Sequence, residues 1–219
     1  MMEKRHTVRK YLNKPLDMDL IGLLNDRIKQ NNCVYNLTFK LVTNNADGLS
    51  SLARLMSNNS VQNYIILAGK DNSDLDKKIG YCGADLILYA QSLGLNTWWC
   101  GGMFNGKNAL KHLDNKAVRV NGVIAIGYGK TQGVPHKSKT ADQVSHYKGD
   151  APGWFKSGIK ALLLAPSALN RQPYIVNGEG NKVSFKVKNG TFSQVDLGIG
   201  EYFFELGAGK SNFEWEDTL

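Results

Sequence analysis

Three short segments hold the residue types best suited to chemistry. In Arg5-His6-Thr7-Val8-Arg9, two arginines and a hydroxyl occupy alternate positions, which point the same way on an extended chain. Guanidinium forks match phosphate oxygens and the Thr7 hydroxyl adds a hydrogen bond, so the segment suits a phosphate monoester. A basic amino-terminal tail without a ligand is the plainer reading. In Pro166-Ser167-Ala168-Leu169-Asn170-Arg171-Gln172-Pro173-Tyr174, two prolines bracket small and amide residues. Amide side chains carry both donors and acceptors, as the edge of a polar heterocycle requires, although a structural connection is an equal reading. In Asn96-Thr97-Trp98-Trp99-Cys100-Gly101-Gly102, paired glycines follow a strand-like run and let backbone approach a ligand, or simply form a tight turn.

These segments need elements to position them. Leu20, Ile21, Leu24 and Ile28 share one face of a helix predicted over 17–30, with Asp17 as its cap. Leu37, Phe39 and Leu41 alternate as a half-buried strand, 64–68 and 120–128 read as inner strands, and 77–93 reads as a helix stopped near Gly94. The order then recurs. Phe155, Ile159, Leu162 and Leu163 form a helical face stopped by Pro166; 174–176 and 183–187 read as strands; 194–208 reads as a helix stopped near Gly209, and Phe213 and Trp215 as a short last strand. Gly83 and Gly94 fall 115 positions before Gly198 and Gly209, which suggests a repeat with that offset. The expected architecture is α+β, with two pseudo-symmetric lobes of helices on mixed sheets. The expected division is 1–128 as the first lobe, a polar connecting segment 129–150, and 151–219 as a smaller second lobe.

Composition narrows the function classes. A net charge of +8 favours an anionic partner, but the positive residues do not gather into one run, so a phosphate-bearing small molecule is expected rather than nucleic acid. Three unpaired cysteines and four scattered histidines argue against a disulfide framework and a metal cluster. No apolar run is long enough to span a bilayer and the amino end has no signal-peptide core, so a cytoplasmic protein without membrane attachment is expected.

Together the segments resemble the nitroreductase and FMN-dependent flavin reductase family. RHTVR resembles its R-x-S-x-R element with Thr7 in the serine place, and PSALNRQPY resembles P-S-x-x-N-x-Q-P-W with Tyr174 in the tryptophan place. Leu93-Gly94-Leu95-Asn96-Thr97 and the following glycines are similar to its L-G-L-G-T segment, Ile126-Gly127-Tyr128 to its late G-Y strand, and Lys137-Ser138-Lys139 to its basic pair. In usual family members the PSxxNxQP element lies in the first quarter of the chain and reaches the partner subunit's flavin. Here it lies late, which resembles a branch that fuses two reduced subunits in one chain. The resemblance implies one FMN per chain, with a single chain sufficing for the site and further homo-oligomerisation left open.

Carried over by position, the resemblance puts Arg5, Thr7, Lys137 and Lys139 on the phosphate, His6 near the ribityl chain and Arg9 at the flavin N1–C2 edge. Gly101 or Gly102 would lie near N5, and Pro166, Ser167, Asn170 and Gln172 along the ring or ribityl chain. Arg9 and Gly102 are the catalytic expectations. The implied reaction passes hydride from NADH or NADPH through the flavin to a nitroaromatic, quinone or flavin acceptor. Dehalogenase- or desaturase-like flavin chemistry, a non-catalytic FMN-binding protein, and a cofactor-free module for an anionic partner are the alternatives.

Overall fold

The computed structural model describes residues 1–216; residues 217–219, the end of the expected second lobe, lie outside the described residues. Four antiparallel strands form the first sheet, in the order β1 (Lys40–Val42), β2 (Tyr64–Gly69), β4 (Arg119–Gly127), β3 (Asn96–Cys100). The second sheet is mixed, ordered β5 (Ser145–Tyr147), β6 (Tyr174–Glu179), β7 (Lys182–Val187), β8 (Glu214–Trp215); only the β6–β7 hairpin is antiparallel. The fold is therefore α+β with two lobes.

Every residue of β2 is buried, because both faces of the first sheet are covered. On one face Ile65, Leu67, Ile124 and Ile126 pack with α1 (Met18–Tyr35) and α3 (Leu75–Ser92). On the other, Tyr64, Ile66, Val123 and Ala125 pack with Tyr11, with Ala53 of α2 (Ser51–Met56) and with Ala109 of α4 (Gly106–Lys111). The first helix runs five residues past its predicted end because Asn36 takes the left-handed conformation that closes it, at φ 54°.

The second lobe packs α6 (Gly153–Leu162) and α7 (Ser193–Ala208) on its sheet around Phe155, Phe185, Phe203 and Phe204. Ala84 and Leu88 of α3 join this core while Ile79, Leu86 and Ile87 of the same helix join the other, so α3 is apolar nearly all round and ties the lobes together. The polar segment 129–150 is more than a connection. It contains α5 (Ala141–Val144), closed by a Thr140–Gln143 capping box, and then β5, which pairs with β6 and so belongs to the second sheet. None of the three residues of β5 is fully buried, so they give no periodicity from which to read that strand.

The helix α6 also ends earlier than expected, at Leu162, four residues before Pro166; the chain continues through tight turns to Ala165. The 115-residue offset is not the one the helices use. At the α3–α7 crossing, a Cβ on Gly80 would overlap the Val195 carbonyl, and one on Gly198 would overlap the Lys77 carbonyl. The reciprocal pairs share an offset of 118, so the structural repeat is set by helix contact and not by the helix-ending glycines.

Candidate functional site

The amino-terminal segment is laid along the edge of the first sheet. Thr7 bridges Thr97 in parallel, the Val8 N–H donates to the Thr97 carbonyl at 3.0 Å, and the Leu12 N–H donates to the Tyr128 carbonyl at 2.7 Å. Val8 and Tyr11 anchor it by burial, at 3% and 2% exposure. This track delivers Arg5 to the boundary between the lobes, where its Nη2 donates to the Leu164 carbonyl at the end of α6, at 3.5 Å.

Arg5 is 5% exposed, and its buried Nε has no hydrogen-bond partner. Among the described residues no carboxylate pairs with it. Burial without a counter-charge lowers its guanidinium to about 10. Two imidazoles stand nearby. His6 is held below its ordinary value by burial and by Arg5. His136 donates from Nε2 to the Leu163 carbonyl at 3.0 Å, and is also held low, first by burial and then by Arg5 and His6. Ser138 donates to the same carbonyl at 2.9 Å. The result is a nook with one buried cation, two imidazoles and no acid. An orphaned buried guanidinium is costly unless an anion joins it. A phosphate monoester, with several acceptor oxygens, fits this donor set.

The proline-bounded loop lies against the connecting segment. Gln172 is 1% exposed and every polar atom of its amide is used: Oε1 accepts the Lys139 N–H at 2.9 Å, and Nε2 donates to the Lys137 carbonyl at 2.9 Å and to Asn170 Oδ1 at 3.0 Å. Asn170 Nδ2 donates to the same Lys137 carbonyl, and Ser167 Oγ accepts the Gln172 N–H, both at 2.9 Å. The carbonyl of Pro166 accepts the Tyr174 hydroxyl at 3.2 Å. Leu169, Asn170 and Gln172 all have φ between 45° and 55°, a left-handed conformation that side chains disfavour, concentrated in four positions. The amide network holds that backbone in place.

Two predicted residues, Asn170 and Gln172, thus bond to the connecting segment, while Ala168, Leu169 and Arg171 from the same loop line a cavity of about 250 Å³. Its opposite wall is the 188–193 turn that leads into α7, and Lys139 and Asp196 complete it. Lys139 spends one Nζ donor on the Gln172 carbonyl at 2.7 Å, whereas the Lys137 side chain is exposed.

The glycine pair sits where β3 ends. A Cβ on Gly101 would lie 3.4 Å from the Phe192 ring and one on Gly102 would lie 3.7 Å from it, so Phe192 of the second lobe covers the pair. Arg9 is exposed and rests over the Trp98 ring, 5.6 Å from its centroid. Trp98 packs with the core facing α2 and α4, whereas Trp99, one residue on, meets Gly83 of α3. Arg9 therefore lies on the face of β3 away from α3, while Arg5 lies at the lobe boundary and Thr7 is exposed between them. The simple alternation expected for the three gives way to burial of positions 5, 8 and 11.

Arg5 and His6 thus come together at the lobe boundary, and the loop of Pro166, Ser167, Asn170 and Gln172 joins Lys137 and Lys139 next to it. Gly101 and Gly102 reach the same boundary through Phe192. Sequence reasoning missed His136, Phe192 and Asp196. His136 directly precedes the basic pair, the one signal that could have marked it; nothing local distinguishes Phe192 or Asp196 from core residues. Cys82 and Cys100 are buried, which pushes both thiols up to about 12 and leaves them unreactive. Among the described residues no helix is long and apolar enough to cross a membrane.

The family described as Putative TM nitroreductase matches residues 1–208. No curated protein matches the chain. Among solved structures, a putative nitroreductase from Thermotoga maritima is 20% identical, with a TM-score of 0.69 over 96% of this chain and 82% of that one. A putative nitroreductase from Desulfovibrio desulfuricans, solved in complex with FMN, is 15% identical, with a TM-score of 0.51 over 68% of this chain and 93% of that one. A putative NADH dehydrogenase/NAD(P)H nitroreductase from Bacteroides thetaiotaomicron is 20% identical, with a TM-score of 0.52 over 65% and 92%. At these identities the likeness is one of fold.

Proposed function

Because the chain belongs to the Putative TM nitroreductase family, we propose that it is an FMN-dependent oxidoreductase using NADH or NADPH to reduce a nitroaromatic, quinone or flavin acceptor. The observation that carries this reading is the orphaned Arg5 guanidinium, buried beside two imidazoles at the boundary between the lobes. The solved complex of the Desulfovibrio relative contains FMN, and the Bacteroides relative is described as an NAD(P)H nitroreductase.

In this reading Arg5 and His6 hold the phosphate, with His136 beside them and Thr7, Lys137 and Lys139 at the outer rim. Gln172 acts by fixing the loop to the connecting segment, which leaves Ser167, Asn170 and Pro166 to border the bound cofactor. Gly101 and Gly102 allow close approach of a flat ring from the first lobe, and Phe192 excludes water above them. Arg9 supplies positive charge from the sheet edge. The first lobe, 1–128, gives the phosphate grip and the second, 151–219, gives the loop, joined by 129–150; one chain completes one site. FMN supplies the two-electron redox chemistry when bound. For a nitro group the overall reaction is balanced by one NAD(P)H and one proton, giving NAD(P)⁺, a nitroso product and water.

The visible spectrum and flavin-to-chain ratio of the purified protein test this. A yellow protein with a ratio near one, bleached by NADH or NADPH and recoloured by a nitroaromatic, is expected. A ratio near two overturns the one-site reading, and a yellow protein that neither cofactor bleaches overturns the enzymatic one.

A further inference from the structure

The cavity between the proline-bounded loop and the 188–193 turn shares only Lys139 with the rim of the phosphate nook. Three cations line it, Lys139, Arg171 and Lys188, against one acid, Asp196. No carboxylate among the described residues lies within ion-pairing distance of any of the three. Arg171 reaches across the mouth, its Nη1 3.9 Å from where a side chain on Gly190 would begin. Asp196 is 4% exposed and its Oδ1 accepts the Ala168 N–H at 2.9 Å, so its charge is directed into the loop backbone.

Phe192 forms the aromatic wall, and its ring also lies 3.4 Å from where a side chain on Gly101 would begin. One side chain, Phe192, therefore borders both the cavity and the glycine pair. Its volume of about 250 Å³ lies just below the range of roughly 300–1,000 Å³ typical of ligand pockets, which suits a compound with one aromatic ring. A planar anion would stack on Phe192 and meet the Arg171 fork and the Lys188 ammonium.

We propose that this cavity is the acceptor subsite and that Arg171, Lys188 and Phe192 select single-ring aromatic acceptors bearing a carboxylate. This rests on the flavin reading above, which gives the cavity something to be adjacent to. The surplus of cations, and not the volume, distinguishes the proposed ligands from neutral nitroaromatics of the same size.

The test is calorimetric binding of 4-nitrobenzoate and nitrobenzene to the purified protein, with the flavin-to-chain ratio measured on the same samples. The wild-type protein should bind 4-nitrobenzoate at least tenfold more tightly than nitrobenzene. In the R171E/K188E variant that preference should vanish, with nitrobenzene affinity within about twofold of wild type and flavin content unchanged, while R171K/K188R should keep most of it. Equal losses for both ligands, or no loss for either, overturn the charge selection even when the flavin ratio stays near one. A colourless protein that will not take up FMN overturns the flavin reading, and with it the acceptor role, whether or not the carboxylate preference is present.

Discussion

Gly80 of α3 and Gly198 of α7 lie reciprocally at the helix crossing, each against a backbone carbonyl of the other helix. Neither carbonyl can move without shifting its helix, so these glycines set how closely the lobes approach. G198V should lower stability by about 1–3 kcal/mol, the usual cost of overpacking, seen as a fall of several degrees in the melting temperature. Gly22 of α1 faces open space, and G22A should instead leave stability equal or raise it by up to about 1 kcal/mol. A crossing indifferent to G198V would mean that the lobes are not held by this contact.

Arg5 is the residue on which cofactor binding should depend most. Replacing it with the apolar, flexible methionine removes a buried unpaired cation, so R5M should keep the melting temperature of the flavin-free protein within a few degrees of wild type. FMN affinity should fall at least tenfold. Unchanged affinity by flavin fluorescence titration would show that the phosphate lies elsewhere.

Asp85 joins three helices: Arg27 Nε donates to it at 2.8 Å, Asn31 at 2.9 Å and the Tyr202 hydroxyl at 2.7 Å. Burial pushes its carboxyl up, but the bonds from Arg27, Tyr202 and Asn31 outweigh burial and hold it below its ordinary value. Such a group stabilises the fold above its unfolded value, about 3.9, and that contribution is lost as pH falls through the lower folded value. D85A should cost about 1–3 kcal/mol at pH 7, chiefly by leaving the buried Asn31 amide without its acceptor, since the half-exposed Arg27 can turn to water. Denaturant unfolding from pH 7 to pH 3 should show the gap between wild type and D85A narrowing only at the acid end.

Asp196 has the opposite sign. Burial raises its carboxyl to about 6, with the Ala168 N–H and Arg171 only partly offsetting it. A carboxyl raised in the folded state binds its proton more tightly there, so its contribution is full below about 3.9 and is lost as pH rises through about 6. D196N keeps an oxygen for the Ala168 N–H and removes the buried charge. It should therefore be more stable than wild type by about 2–3 kcal/mol at pH 8, with the difference shrinking between pH 6 and pH 4. A constant difference across that range in urea unfolding would show that Asp196 does not titrate there.

The segments with strong local pattern were legible from sequence. The 3.6-residue periods of α1, α3 and α7 and the apolar runs of β2 and β4 need no distant partner to be recognised, and RHTVR and PSALNRQPY were visible as chemically loaded stretches because their residue types are unusual together. The strand β5 was not, because three residues, none of them buried, take their conformation from pairing with β6.

Sequence alone determined the long helices and the inner strands, that they occur in two similar sets, and which charged and amide residues could serve a phosphate-bearing ring. Only the tertiary structure decided that Arg5 is buried without an acid, that His136 joins it from 131 residues away in sequence, and that Phe192 covers the glycine pair of the other lobe. The physical reason is that local propensity depends on neighbours along the chain, whereas burial, charge pairing and cavity shape depend on which distant surfaces meet. Here that meeting is set at the crossing of α3 and α7, by two glycines whose role no local pattern reveals.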